Sequence, residues 1–357
     1  MHIIHVVGAR PNFMKAAPVL AALGRFPQVK QTLVHTGQHY DANMSEIFFQ
    51  QLEMPAPDLN LEVGSGSHAQ QTAEIMSRLE PVLLERQPDL LLVYGDVNST
   101  MASAVVCSKL LVRVGHVEAG LRSRDRTMPE EINRLITDQL SDLLFTPSPD
   151  GDENLAREGI AREKIHLVGN VMIDTLVRLL PRSAGHKPPG LPERYALVTL
   201  HRPSNVDDPE WLGALLRALA GVSDELKVVF PVHPRTRQRI AALGPGALPE
   251  GLSLLEPQPY LSFLALQRDA TVVITDSGGI QEETSFLGVP CLTLRENTER
   301  PITVTQGTNV MIGRDLALMQ KEVRRVLRGE KKKASPIPLW DGHAAERIAG
   351  IVAACGS

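Results

Sequence analysis

Short apolar runs alternate with longer mixed stretches along the whole chain. His2 to Val7 is the first run, followed by Gly8-Ala9-Arg10-Pro11 and a helical stretch through Leu23. Val29 to Thr36, Leu90 to Tyr94, Val112 to Val117 and Leu143 to Phe145 repeat the pattern. Apolar runs this short, each followed by loop or cap residues, read as buried strands. Glu130 to Leu144 instead carries Ile132, Leu135, Ile136, Leu140 and Leu143 at helical spacing, with Pro129 suited to the first helical position. Strands alternating with helices predict βαβ units, right-handed crossovers and a mostly parallel sheet.

The alternation breaks at Leu180-Pro181-Arg182-Ser183-Ala184-Gly185-His186-Lys187-Pro188-Pro189-Gly190, a polar stretch rich in Pro and Gly near the midpoint. It then restarts. Ala196 to Leu200, Lys227 to Val232 and Thr271 to Thr275 read as strands, and Trp211 to Ala220 and Ile280 to Leu287 as helices. A chain of 357 residues exceeds the usual size of one hydrophobic core. We therefore expect two Rossmann-like α/β domains, 1–180 and 191–340, with a cleft between them.

Composition narrows the classes of partner. Apolar residues make up 43% and charged residues 22%, as in ordinary soluble domains. Aromatic residues are only 4%, which argues against stacking platforms for single-stranded nucleic acid. The formal net charge of −4 leaves no basic footprint for a polyanion. No run approaches the ~18 apolar residues of a membrane span, and the chain runs directly into a strand without a signal peptide. Cys107, Cys291 and Cys355 are widely spaced, without the pairing of a zinc site or a disulfide framework. The expectation is a cytoplasmic protein with neither nucleic acid nor membrane as partner.

Ligands of open parallel sheets bind beyond the carboxyl ends of the strands. Polar residues collect at those positions: Arg10 with Lys15, Gln38-His39, Asp96, Glu118, His201-Arg202, His233 and Asp276-Ser277-Gly278-Gly279. The Ser277-Gly278-Gly279 turn before a helix suits an anion held by backbone N–H groups. Ser277 equally reads as a plain N-cap. Arg295 and Arg300 follow and suit a diphosphate, or else form surface ion pairs with Glu296 and Glu299. Asp96, Glu118 and Glu130, with its neighbour Glu131, form an acid set in which crowding of like charges raises one pKa. Glu130 and Glu131 also fit as first-turn acids of a helix, and His201 and His233 as structural histidines. A G-x-G-x-x-G fingerprint and metal-ligand spacings such as H-E-x-x-H are absent, so neither a nicotinamide cofactor nor a metal is expected.

Taken together, these stretches resemble the non-hydrolysing UDP-N-acetylglucosamine 2-epimerases. The resemblance runs collinearly through Gly8-Ala9-Arg10-Pro11-Asn12 with Lys15, Thr36-Gly37-Gln38-His39, Gly95-Asp96 and His116-Val117-Glu118-Ala119-Gly120-Leu121-Arg122. It continues through Pro129-Glu130-Glu131-Ile132-Asn133-Arg134, His201-Arg202, Pro231-Val232-His233-Pro234, Thr275 to Glu283, and Arg295 to Thr308. It implies a glycosyltransferase-B-like fold whose C-terminal helix, 341–357, crosses back to the first domain. It implies interconversion of UDP-GlcNAc and UDP-ManNAc without a cofactor, by elimination of UDP to a glycal and re-addition. It further implies a homodimer.

Carried over by position, Asp96, Glu118, Glu130 and His201 are the acid–base and leaving-group candidates. Arg10, Lys15, His233, Ser277, Gly278, Gly279, Glu283 and Arg300 would hold diphosphate and ribose, with Gln258 and Phe263 near the uracil. The chain also departs from the family. Its loop from Glu118 to Pro129 is shorter than in many bacterial members, and Ser204 stands where Glu is common. Many of those members bind a second, activating UDP-GlcNAc. Gln38 and His233 match that site, but Asp41 replaces an expected Gln, and Gly64-Ser65-Gly66-Ser67 lacks an expected Arg. Little dependence on an activator is expected. A hydrolysing epimerase, an epimerase for a UDP-diacetamido-uronic acid, and a glycosyltransferase remain the alternatives.

Overall fold

The computed structural model describes residues 1–37, 49, 51–244, 246, 248, 249 and 251–355, Arg10 by its backbone alone. Its contacts divide the chain into two units, Met1–Thr175 with Pro338–Ser357 and Leu176–Ile337.

The first unit is built on a parallel sheet of β1 (His2–Val7), β2 (Lys30–His35), β3 (Leu59–Asn60), β4 (Leu90–Tyr94), β5 (Val114–Val117), β6 (Leu143–Thr146) and β7 (Ile165–Leu167). Their order is β3-β2-β1-β4-β5-β6-β7. All five residues of β4 are buried without exposure. A parallel strand covered on both faces has no polar face, so such strands read as continuous apolar runs. The helices are α1 (Arg10–Leu23), α2 (His68–Arg86), α3 (Asn98–Leu110), α4 (Pro129–Leu140) and α5 (Pro149–Arg157), and α6 (Val171–Ser183) begins in this unit and ends in the second.

The second unit repeats the plan. Its sheet comprises β8 (Tyr195–Thr199), β9 (Lys227–Pro231), β10 (Leu252–Leu255), β11 (Val272–Thr275), β12 (Cys291–Thr293) and β13 (Asn309–Met311). The order is β10-β9-β8-β11-β12-β13. Around it run α7 (Pro203–Val206), α8 (Pro209–Ser223), α9 (Pro234–Ala242), α10 (Tyr260–Asp269), α11 (Gly278–Leu287), α12 (Pro301–Thr305) and α13 (Leu316–Leu327).

In both sheets the chain order reverses beside the first strand, at β1/β4 and at β8/β11, which is where such folds bind ligands. Register keeps those strand ends level. Tyr94 faces Val117 across β4 and β5, and Thr275 faces both Thr199 and Thr293. The residues that follow these strands therefore emerge along one edge of each sheet.

The last helix, α14 (Ala344–Ala354), belongs to the first unit and packs on α1. Its own N-cap, His343, gives no side-chain cap. Asp174 on α6 does so instead, accepting from the amides of Ala344 at 3.1 Å and Ala345 at 2.7 Å. Trp340 donates its indole N–H to the Pro147 carbonyl at 2.9 Å, anchoring the returning segment.

Two local expectations are corrected. The helix predicted over Glu130 to Leu144 stops at Leu140, because Ser141 turns extended (φ −84°, ψ 147°) and Asp142 N–H pairs with Val114 O at 2.8 Å. Leu143 thus opens β6 rather than extending the helical stripe. Leu180 to Ser183, read as linker, still belongs to α6, with Pro181 inside the helix, where it supplies no amide for a carbonyl of the preceding turn.

Helix α4 is also oriented unexpectedly. It buries Glu131, Asn133, Arg134, Thr137 and Asp138. Its apolar Ile132 is 38% exposed, and Leu135 and Ile136 are only half-buried. Polar groups face inward on this helix because they serve the strand ends.

Candidate active site

In the first unit, Asn12 fastens two strand ends together. Its Oδ1 accepts from the amides of Gly8 and Ala9 at 3.0 and 3.1 Å, and its Nδ2 donates to Tyr94 O at 2.6 Å. The Lys15 ammonium reaches across to the Glu118 carboxylate, both buried. Gly95 makes room for this pair. Its φ is +64°, and a Cβ there would lie 2.6 Å from Lys15 Nζ and 3.3 Å from Glu118 Oε2. Glu118 itself takes φ +74°. A left-handed glutamate costs on the order of 1–3 kcal/mol, a strain typical of sites whose function over-determines geometry.

Asp96, beside Gly95, accepts from Arg134 on α4 at 2.5 Å. Arg134 also pairs with Glu131 at 2.6 Å. Glu131 in turn accepts the Ser123 and Arg124 amides, each at 2.9 Å. Burial opposes the charge on Glu131, but those amides and Arg134 outweigh it and hold its pKa low. Glu130 lies one residue earlier on the first turn of α4, exposed to solvent.

In the second unit, Asp276 organises the edge of the sheet. Fully buried, it accepts from the amides of His201 and Arg202 and from Asn205 Nδ2, at 2.9–3.2 Å. His201 Nδ1 lies 3.1 Å from the same carboxylate, with the ring 44% exposed. Burial works against ionisation of Asp276, but His201 and the donors prevail, so its pKa is lowered. The His233 ring lies 6.3 Å from that of His201, centroid to centroid.

The Arg300 guanidinium crosses directly over Gly278, where a Cβ would meet Nη1 at 2.5 Å. It is held there by Glu282 at 2.8 Å and Glu299 at 3.3 Å. Arg295 forks onto Glu299 at 2.7 and 2.9 Å. Burial opposes the Glu299 charge, yet these arginines hold its pKa far below the usual carboxylate range. The result is a fixed cation at the positive end of α11, a ready anion site. Deeper in the same unit, Glu283 accepts from Tyr260 at 2.7 Å and Gln267 at 3.1 Å. Burial raises its pKa to about 7, with the two hydrogen bonds offsetting only part of the effect.

The sequence matches the family model described as UDP-N-acetylglucosamine 2-epimerase over residues 21–353. The chain belongs to that family. It is 41% identical to the UDP-N-acetylglucosamine 2-epimerase of Methanococcus maripaludis, covering 97% of each chain. It is 42% identical to a Pseudomonas aeruginosa UDP-2,3-diacetamido-2,3-dideoxy-D-glucuronate 2-epimerase, covering 99% of each. Its fold matches the Methanocaldococcus jannaschii UDP-GlcNAc 2-epimerase, solved in complex with UDP-GlcNAc and UDP. The TM-score is 0.90 at 39% identity, covering 99% of this chain and 100% of that one. The fold is thus the glycosyltransferase-B-like one of its epimerase neighbours, α/β with two parallel sheets.

Against this family background, each unit assembles part of the residue set taken from the sequence. Lys15, Asp96 and Glu118 fall near the β1, β4 and β5 ends of the first unit, while Glu130 stands exposed on the first turn of α4. His201, His233, Ser277, Gly278, Gly279 and Arg300 gather at the β8/β9/β11 edge of the second. Gln258 is half-buried ahead of α10, and Phe263 packs on an apolar cluster of the same unit. The Arg10 side chain, Gln38, His39 and Asp41 lie outside the described residues, so the activator comparison stays with the sequence.

Three expectations change. Asp96 and Glu118 each face a cation rather than another carboxylate, so crowding of like charges does not organise this set. Arg295 and Arg300 are not surface pairs: both are buried, and the partners are Glu299 and Glu282, whereas Glu296 lies over Gly313. Ser277 occupies the N-cap position, but its hydroxyl makes no capping hydrogen bond. Arg134 and Glu282 had no role in the reading of the sequence, Asp276 stood there only as a strand-end polar residue, and Glu299 only as a partner in a surface ion pair. Arg134 stands four residues after Glu130, and Asp276 directly follows a strand. Those were the available signals.

Among the described residues no cluster of His, Cys, Asp or Glu is arranged to hold a metal. No described helix is long and apolar enough to cross a membrane.

Proposed function

We propose that the chain is a UDP-N-acetylglucosamine 2-epimerase that interconverts UDP-GlcNAc and UDP-ManNAc. The observation that carries this reading is that one chain holds two kinds of strand-end site: cation-braced carboxylates in one unit and an arginine-crowned helix start in the other. Arg300, the amides of Ser277, Gly278 and Gly279, and Lys15 with Arg10 would hold the diphosphate. Glu283 would take the ribose, while Gln258 and Phe263 flank the uracil and His233 lies beside the phosphates.

C2–H of the sugar is barely acidic, so its removal needs a placed base and a stabilised leaving group together. In the reaction we propose, a carboxylate of the set Asp96, Glu118 and Glu130 takes the C2 proton. The C1–O bond breaks with its electron pair leaving on UDP, assisted by His201, and a glycal remains. UDP oxygen then adds back to C1, and a second acid of the set delivers a proton to the opposite face of C2. Atoms and charge balance, and the acids are reset by exchange with solvent.

The 42% identity to the diacetamido-glucuronate epimerase supports a second reading, in which the sugar carries a further acetamido group at C3 and a carboxylate at C6. Incubation with each UDP-sugar, followed by product identification, separates the two. UDP-ManNAc from UDP-GlcNAc supports the first; turnover of the uronate alone supports the second. Free ManNAc with UDP would instead indicate a hydrolysing enzyme.

We also infer that the active form is a pair of copies of this chain, joined through α4. Its exposed Ile132 borders an apolar groove of about 530 Å³, lined among others by Ala69, Thr72, Met76 and Met101. The lining carries no Asp, Glu, Lys or Arg. An uncharged apolar groove with a partly exposed isoleucine in its lining suits a two-fold pairing, in which the two copies cover each other's groove.

A further inference from the structure

His116 is wholly buried, and the mechanism above gives it no part. It lies on β5, two residues before Glu118. Its Nδ1 sits 2.6 Å from Asp138 Oδ1 on α4, and its Nε2 sits 2.8 Å from Gly95 O at the end of β4. A carbonyl oxygen only accepts, and so does a carboxylate. A ring that satisfies both must donate from both nitrogens. Asp138 continues the chain of bonds, because its other oxygen accepts from Arg122 at 2.7 Å and from the Gly120 amide at 3.1 Å. Burial alone would disfavour the Asp138 carboxylate, but His116 and Arg122 outweigh it and keep its pKa low. Arg122 is fixed further by Glu158 at 2.6 Å.

The consequence is geometric. Gly95, whose carbonyl His116 holds, immediately precedes Asp96. Gly120, whose amide Asp138 holds, follows Glu118 by two residues. Asp138 also sits four residues after Arg134, the partner of Asp96. One buried bond chain thus ties β4, β5 and α4 together, the three elements that carry the acids.

We propose that His116 is a positioning residue: a twice-donating imidazolium, backed by Asp138, that fixes Gly95 and with it Asp96 against the left-handed Glu118 turn. This rests on the epimerase reading for its effect on turnover, although the hydrogen-bond state of the ring can be measured without substrate. A misplacement of about 1 Å in such a site can cost about 100-fold in rate.

The test uses the ¹⁵N-labelled full chain, with His116→Gln and Asp138→Asn beside it. Long-range ¹H–¹⁵N spectra report whether each ring nitrogen carries a proton. The wild type should show both His116 nitrogens protonated, and Asp138→Asn should lose one of those protons. Both variants should lose about 100-fold in kcat on the UDP-sugar that the wild type turns over, with KM and UDP affinity unchanged. A buried residue that serves only stability would not separate kcat from KM in this way. A singly protonated wild-type ring would overturn the proposal, as would wild-type kcat in either variant. If His116→Gln fails to fold, the wild-type spectrum and the nearly isosteric Asp138→Asn still decide. Should the wild type turn over no UDP-sugar, the epimerase reading fails, while the spectrum still judges the ring by itself.

Discussion

Arg300 shows how much a single side chain owes to its neighbours. Its fork lies over Gly278 because no Cβ intervenes, and Glu282 and Glu299 hold it there. A lysine could keep the charge but not the planar fork. Arg300→Lys should therefore weaken UDP binding by about tenfold, roughly 1.4 kcal/mol, in calorimetric titration; unchanged affinity would remove Arg300 from the diphosphate site. Glu283 gives a pH-dependent counterpart. Its carboxyl has a pKa near 7 in the folded chain against an ordinary 4.5, so the folded state binds the proton more tightly. Its stabilising share is fully present below pH 4.5 and is lost as pH rises through about 7. Denaturation at both ends of that window should show the wild type losing stability relative to Glu283→Gln as pH rises; a constant difference would contradict it. Residue identities at these positions were legible in the sequence, as was Glu299 as a partner of Arg300, but the other partners were not. Arg300 meets Glu282 through a helix start, and Arg134 reaches Asp96 across 38 residues. Local spacing does not encode such pairings.

At the scale of elements, strand cores were read well because a parallel strand buried on both faces announces itself as an apolar run. Leu90 to Tyr94 was read to the residue. Helix α4 was misread in extent, and its apolar stripe does not mark its buried face, because periodicity reveals that two faces differ but not which one turns inward. If that face pairs two copies, Ile132→Glu should convert the protein from dimer to monomer in light scattering with its fold retained. A wild type that is already monomeric would defeat the pairing. The capping of α14 by Asp174 was invisible in sequence, since cap and helix are 170 residues apart. Asp174→Ala should cost about 1 kcal/mol of stability, the usual worth of an N-cap, measured by denaturant unfolding. No loss would mean that His343 or water replaces the cap.

For the whole molecule, the strand order of each sheet fixes where chemistry can occur, and the polar strand ends had indicated those places. The ordered set of motifs then identified the family, which no single piece could have done. In the proposed reaction labour divides between the units: acids near Asp96 and Glu118 for the C2 proton, and Arg300 at the α11 start for UDP. Asp96→Asn should therefore abolish turnover yet leave UDP affinity intact, the reverse of the Arg300 variant. The most direct measurement follows the C2 proton by NMR while the enzyme acts on UDP-GlcNAc in D₂O. Solvent deuterium should appear at C2 of both UDP-GlcNAc and UDP-ManNAc, in the wild type and not in Asp96→Asn. UDP-ManNAc that forms with its C2 proton retained, or exchange that survives in Asp96→Asn, would contradict the proposed reaction.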